Sequence, residues 1–417
     1  MASAAIADTR ALPEGTAAAG AFGRLCAIGF LAYCSYAICR TPLLPLLARE
    51  LGATPAAVGF VVGASTLTGI LLKLPAGAWS DLLGRRPLLL LGTVVFATMP
   101  FTYIGVASLG VLIALRFVHG AATAIFGPVA SASLSDLAPA GRRATWLSTY
   151  STVQGAGQAL GPVIAGYAIA NGRYDLAFIV AGILALATPF LAGRWPPRTS
   201  SAATSPGSPR FRQFTTGIAD VCREPLILMT SVAQAAQFVL NGTLNAFVPL
   251  FALDVLGVAP STLGWLFALQ TATTLAVRPM MGLLSDRIGR RGIIVAGLIV
   301  CSTAVMLVSL STGLLVLAIA IFVYATGVAV TTAATSAFIT DLSTRARYGA
   351  AHGVFGTIYD VGDALGPILA GLLVATIGYG PMFQAMAGIA LSVTAAFYFV
   401  SRGLTRQLHA GKPEASA

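Results

Sequence analysis

Twelve apolar stretches, each long enough to cross a bilayer as a helix, fill most of this chain and leave it few folds to choose from. They run at roughly 25–47, 57–80, 88–107, 109–133, 145–170 and 175–193, then at roughly 225–252, 261–283, 293–311, 314–338, 348–377 and 380–401, where about 20 residues suffice to span the hydrocarbon core. In lipid every backbone polar group must be satisfied within the element, which admits helices or closed barrels, and continuous apolar runs of this length select helices. Of the 417 residues, 57% are apolar and 9% charged. A soluble domain needs about 25% charged residues to solvate its surface. The expectation is an all-α membrane protein of twelve transmembrane helices with the lipid bilayer as its solvent.

The net charge of +11 is arranged by topology. Arg85, Arg86, Arg142, Arg143, Arg194, Arg198, Arg210, Arg212, Arg223, Arg287, Arg290, Arg291, Arg345 and Arg347 fall in alternate gaps between spans, with Arg402, Arg406 and Lys412 in the tail, whereas the other gaps hold little beyond Arg49 and Arg173. That asymmetry places both termini and the central loop in the cytoplasm and excludes nucleic acid as the partner of the basic charge. The preference for Arg over Lys, with the richness in Ala and Gly, matches a bacterial chain, so the expected location is the inner (plasma) membrane. The polar stretch before the first span reads as a cytoplasmic tail, with that span retained.

A single shift of 205 residues superposes the two halves of the sequence. It carries GAWSDLLGRR at 77–86 onto GLLSDRIGRR at 282–291, Leu51-Gly52 onto Leu256-Gly257, Lys73 onto Arg278 and Asp136 onto Asp341. It also carries Gly157, Gly161 and Pro162 onto Gly362, Gly366 and Pro367. The chain is therefore a tandem duplication of a six-helix unit, with equivalent loops on one side of the membrane. The expected divisions are a tail (1–24), a first six-helix bundle (25–193), a Pro/Ser/Gly-rich linker (194–224), a second bundle (225–401) and a second tail (402–417).

Three motifs carry the mechanism. The first is the loop Gly77, Asp81, Gly84, Arg85, Arg86 and its copy Gly282, Asp286, Gly289, Arg290, Arg291. Its first glycine allows close helix approach, its aspartate can latch the bundles by charge, and its second glycine permits a tight turn. The second is Arg116-x-x-His119-Gly120 in the fourth span. The third is Gly157, Gly161, Pro162 and Gly166 in the fifth, a small-residue face for packing next to a proline that removes a backbone hydrogen bond. Together these resemble the signature motifs of the major facilitator superfamily, over essentially the whole chain. The fifth-span motif resembles that of its twelve-helix drug-proton antiporter branch. His119 stands where glutamine is more usual, and Arg40 stands in the first span where such exporters often carry an acid. The resemblance implies two pseudo-symmetric six-helix bundles, a monomer, and secondary active transport of a small-molecule substrate by alternating access.

Ionisable residues inside spans cost roughly 2.5–3.5 kcal/mol each on insertion scales, so each should face a partner or a cavity. They are Arg40, Lys73, Arg116, His119, Arg278, Asp360 and Asp363. Asp360 and Asp363 are the carboxylates well inside a span, and they are the candidates for proton coupling, with His119 and Arg116 beside them. Lys73 and Arg278 are candidate charge partners, and a fixed Lys73–aspartate pair is the competing role for either acid. Polar residues at helical spacing mark candidate cavity faces: Tyr33, Tyr36 and Arg40; Gln154 and Gln158; Gln234, Gln237, Asn241 and Asn245; and Tyr359. Bridging between helices is the alternative use of these side chains. Four buried positive groups against two negative ones hint at an anionic or zwitterionic substrate.

Nothing in the chain reads as an enzyme. There is no phosphate-binding loop, no metal-ligand spacing and no cofactor motif, and Cys26, Cys34, Cys39, Cys222 and Cys301 contain no CxxC pair. The expected function is proton-coupled efflux of a small organic compound, a drug or metabolite. The alternative is uptake of an organic anion by a symporter or facilitator, and a non-transporting membrane sensor is the reading from another class.

Overall fold

The computed structural model describes residues 15–139, 141–195, 220–344 and 348–410. The central linker and both chain ends largely lie outside these, as do the side chains of Asp81 and Asp286 and the surroundings of Gly77. The described residues form thirteen helices: α1 (Gly15–Ile38), α2 (Leu43–Glu50), α3 (Pro55–Leu83), α4 (Arg85–Thr102), α5 (Leu109–Leu137), α6 (Arg143–Ala170), α7 (Tyr174–Gly193), α8 (Pro225–Asp254), α9 (Pro260–Ile288), α10 (Arg290–Ser309), α11 (Leu314–Leu342), α12 (Tyr348–Ile377) and α13 (Tyr379–Ala410). With α1 and α2 counted as one interrupted span, these make twelve crossings.

The interruption corrects the expectation of a continuous first helix. The chain turns at 39–42, where Pro42 supplies no N–H and Pro45 follows, so the α1 ladder cannot run on into α2. Arg40 therefore lies in a turn and not on the α1 stripe with Tyr33 and Tyr36. The third span also ends earlier than expected, at Thr102, which leaves Tyr103 in the loop yet buried. Elsewhere the sequence stops and starts the helices as propensity dictates. Pro55 and Pro260 open α3 and α9 at positions where a missing N–H costs nothing, and Thr54 caps α3 by accepting from the Ala57 N–H at 3.3 Å. Gly84 and Gly289 take φ of 93° and 103° between consecutive helices, a conformation that favours glycine.

Among the described residues, nine segments are long and apolar enough to span unaided. The helices α4, α6 and α9 fall outside that set. At 28 and 29 residues, α6 and α9 have ample length; they are less apolar because they pack on each other between the halves and carry polar faces.

Packing within the two halves is equivalent. Helix α1 lies on α6 and α7, α3 on α5, and α4 on α5 and α7; under the 205 shift, α8 lies on α12 and α13, α9 on α11, and α10 on α11 and α13. Between halves, α3 packs on α12 and α6 on α9. These two seams exchange under the same shift.

The seams are tight at one end only. At the end holding the 51–54 and 255–259 loops, one apolar core is shared by both halves, with Leu43, Leu47, Val58 and Ile169 joining Leu244, Phe247, Leu263 and Ala370. At the arginine-rich end the buried clusters belong to one half at a time. Glycines follow the same gradient. A Cβ on Gly59 or Gly371 would run into the Pro367 or Pro55 backbone across the seam, whereas Gly282 has nothing within 4 Å. In this conformation, then, the expected close approach at the loop-motif glycine is not made by Gly282.

Candidate functional site

Charged and polar side chains from both halves meet where the closed end gives way to the open one. Asp363 of α12, buried, accepts from Arg40 Nη2 at 3.0 Å, from Thr66 Oγ1 of α3 at 3.2 Å and from Asn241 Nδ2 of α8 at 3.1 Å. Gln270 Nε2 of α9 reaches Asn241 Oδ1 at 3.5 Å. One turn toward the open end, Asp360 is ion-paired with Lys73 of α3. Spacing of i and i+3 puts both acids on one face of α12, and each is tied to a cation of the other half.

Beside this junction, Tyr359 stacks on Phe238 with ring centroids 4.5 Å apart, and the Lys73 ammonium lies 5.9 Å from the Tyr359 centroid. Arg278 of α9 is exposed. It has no hydrogen bond or ion pair among the described residues.

Arg116 and His119 sit elsewhere, fully enclosed in the first half. Arg116 Nη2 donates to Ser65 Oγ at 2.7 Å, Tyr36 OH donates to the same oxygen at 3.2 Å, and the guanidinium lies 5.6 Å from the Tyr36 ring centroid. His119 Nδ1 and Tyr103 OH are 3.2 Å apart. Arg116 Nε and Nη1 and His119 Nε2 have no partner among the described residues. The second half answers with a cluster of its own. Gln234 Nε2 donates to Gln237 Oε1 at 2.8 Å, Gln237 Nε2 donates to Tyr324 OH at 3.2 Å, and Thr335 donates to Gln234 Oε1. Tyr324 is the shift-equivalent of His119.

The sequence-predicted cavity residues thus divide. Arg40, Asn241 and Tyr359 gather at the junction with the two aspartates. Tyr36, Gln234 and Gln237 are buried between helices of their own half, as bridging side chains. Tyr33, Gln154 and Asn245 are half-buried and Gln158 is exposed. Sequence reasoning missed Ser65, Thr66, Tyr103 and Gln270, hydroxyl and amide side chains with no charge to mark them.

The loop and fifth-span motifs have definite contacts. Arg85 Nε donates to Asp136 and Arg290 Nε to Asp341, each at 3.0 Å. Arg86 donates to the Gly193 carbonyl at 2.6 Å and Arg291 to the Ser401 carbonyl at 2.9 Å. These arginines hold the start of α4 and α10 within their own halves. The proposed latch residues Asp81 and Asp286 lie outside the described side chains. In the fifth span, a Cβ at Gly157 or Gly161 would meet the α1 backbone at Phe30 or Ile38, and one at Gly166 the α9 backbone at Pro260. The motif therefore serves two interfaces at once, one inside its half and one across the seam.

Two repeated helical bundles, closed around a charged junction at one end and parting at the other, define a membrane transporter and not an enzyme. The chain belongs to the Major Facilitator Superfamily, whose family profile matches residues 25–259 and again 230–416. It is 23% identical over 372 residues to an uncharacterized MFS-type transporter of Methanocaldococcus jannaschii, covering 87% of this chain and 91% of that one. It is 26% identical over 145 residues to the quinolone resistance protein NorA of Staphylococcus aureus, a match spanning 35% of this chain and 37% of NorA. Among solved structures, a bacterial homolog of the human lysosomal transporter Spinster, in an inward-facing and unoccupied conformation, superposes with a TM-score of 0.74 at 19% identity, covering 93% of this chain and 97% of that one. The nucleoside transporter NupG superposes with a TM-score of 0.77 at 14% identity, covering 91% and 99%.

Proposed function

We propose that this protein is a proton-coupled exporter of a small organic compound, acting as a monomer in a bacterial inner membrane. The observation that carries the reading is that both intramembrane carboxylates are ion-paired across the seam, Asp363 to Arg40 and Asp360 to Lys73. Protonating either acid removes one charge of a pair that ties the halves together. Proton binding and separation of the halves at that point are then a single event, which is what coupling requires. A pair inside one bundle could serve only as a structural tie.

With the arginine-rich loops in the cytoplasm by the positive-inside rule, both termini are cytoplasmic, the shared apolar core seals the outer end, and the conformation is inward-facing. Substrate enters from the cytoplasm and is released outside once the bundles rock. Protons from outside then load the aspartates and hold the pairs apart, and their release to the cytoplasm after the return lets the pairs re-form. The partial likeness to NorA, named for quinolone resistance, favours this direction. Arg278, an exposed cation without a polar partner among the described residues, favours the second reading, uptake of an organic anion.

The test is accumulation of a compound panel in an efflux-deficient bacterial host, with and without expression, before and after a protonophore. Lower accumulation that the protonophore abolishes supports proton-driven export. Higher accumulation on expression transfers the protein to the uptake reading, and no change for any compound removes both.

A further inference from the structure

The two repeats treat one charged position differently. The 205 shift maps the Lys73–Asp360 pair onto Arg278 and Gly155. Gly155 is buried at the α6–α9 seam, where a Cβ would meet the Leu275 side chain at 2.7 Å. Leu275 is one helical turn from Arg278, so the register of the pair is kept. The second seam has the cation as well, and a glycine where the first has its carboxylate.

The other charges of the junction are accounted for. Arg40 holds Asp363 and Lys73 holds Asp360, while Arg116 is 0% exposed and sealed inside the first half. Arg278 is exposed, has no polar partner among the described residues, and lies one turn along α9 from Leu275, the residue that faces Gly155 at the seam. An exposed guanidinium at this seam is free to take a counter-charge from outside the protein, and its fork of donors matches a carboxylate.

We infer that Arg278 is a substrate-binding residue and that the carboxylate missing from the protein at Gly155 is supplied by the transported compound, an organic monoanion. Among the described residues of the junction, one accessible cation without a partner matches one negative charge. This inference rests on the transporter reading of the same site and is indifferent to the direction of transport or its coupling.

The test is equilibrium binding to the purified full-length protein in detergent, with no gradient. The probes are benzoate, salicylate and indole-3-acetate, each against its neutral amide, on wild type, Arg278→Gln and Arg278→Lys. At least one acid should bind wild type roughly tenfold or more above its amide, as a charge-assisted bond to arginine implies. Arg278→Gln should reduce that ratio to about one, and Arg278→Lys should keep part of it by conserving the charge. If no acid exceeds its amide on wild type, or if the preference survives in Arg278→Gln, the inference is overturned. The wild-type comparison needs no variant to fold. Because no gradient is present, failure here leaves the accumulation test of export standing, and failure of that test leaves this one to be decided separately.

Discussion

Arg49 and Asp254 are the same position in the two repeats, 205 residues apart, and they form an ion pair with each other across the closed end. A contact between equivalent residues has to lie on the pseudo-two-fold axis relating the halves. Asp254 accepts in addition from Tyr379 OH at 3.0 Å. Duplication of an ancestral residue would have set two identical side chains against each other here, and the opposite charges turn that encounter into a tie.

Because the pair straddles the axis, exchanging its members should preserve it. Arg49→Asp and Asp254→Arg singly should each shift the population toward opening at this end, and the double exchange should restore it. Both side chains are more than a third exposed, so the single effects should be small. Pairs of this kind contribute about 0.2–1 kcal/mol, a change of at most roughly fivefold in the ratio of states. Spin-label distances between the 51–54 and 255–259 loops measure it. A double exchange no closer to wild type than the singles would remove the tie from the account of gating.

The glycine seams predict a larger effect. Alanine at Gly59 would press on the Pro367 carbonyl, and alanine at Gly264 on the Pro162 carbonyl, the same contact in the other seam. Each should disfavour the conformation closed at this end by about 1–3 kcal/mol, the usual cost of overpacking. Gly282→Ala is the control. It has nothing within 4 Å in this conformation, so it should not disfavour closure at this end, and it should stabilise α9 by roughly 0.5–1 kcal/mol through helix propensity. Cysteine cross-linking between α3 and α12 distinguishes the two behaviours.

The fold was legible because its determinants are repeated: apolar runs of spanning length, the alternation of arginines, and one constant shift. The site was legible only where it is charged. Asp360, Asp363, Lys73 and Arg40 announced themselves by the cost of burying them, and Asn241 by its place in a polar stripe. Ser65 and Thr66 did not, since a hydroxyl within a helix can satisfy itself on its own backbone. Gln234 and Gln237 followed the stripe spacing of Asn241 yet point into their own bundle, a difference set by the rotation of α8 and its packing on α11. The Arg49–Asp254 pair obeys the same 205 shift as the loops, but its members are unlike residues, and a repeat is visible in sequence where the residues are alike.

Lys73 and Asp360 should behave as a coupled pair in stability. Lys73→Met and Asp360→Asn singly leave one charge without its partner in the junction, and the double variant leaves none. A deeply buried pair would cost about 3–5 kcal/mol to break. The Lys73 side chain is 36% exposed, so solvent screening brings the expectation to roughly 1–2 kcal/mol for each single change. The double variant should recover most of it. Thermal unfolding of the four proteins in detergent completes the cycle, and additive losses would mean that the two residues do not act on each other.

Asp363 is the acid expected to carry the proton. It joins both halves through three donors, Arg40, Thr66 and Asn241, whereas Asp360 has Lys73, so a proton on Asp363 loosens more of the junction. Asp363→Asn keeps the shape and mimics the protonated state. It should abolish transport against a gradient while leaving substrate binding and downhill exchange partly intact. Asp360→Asn should reduce rates without uncoupling, and adding Lys73→Met should restore them. Proteoliposomes with and without an imposed pH gradient separate these outcomes, because coupling is the difference between the two fluxes. The structural alternative is that Asp363 serves only to hold Arg40 in place. Gradient-driven transport would then return when Arg40 is neutralised together with Asp363, since removing both charges relieves the unpaired cation but cannot replace a proton carrier. Gradient-driven flux in Arg40→Met/Asp363→Asn at the wild-type level would therefore take the coupling role away from Asp363. Flux that stays at the downhill level in that variant, with normal amounts of folded protein, leaves the carboxylate as the group that the gradient acts on.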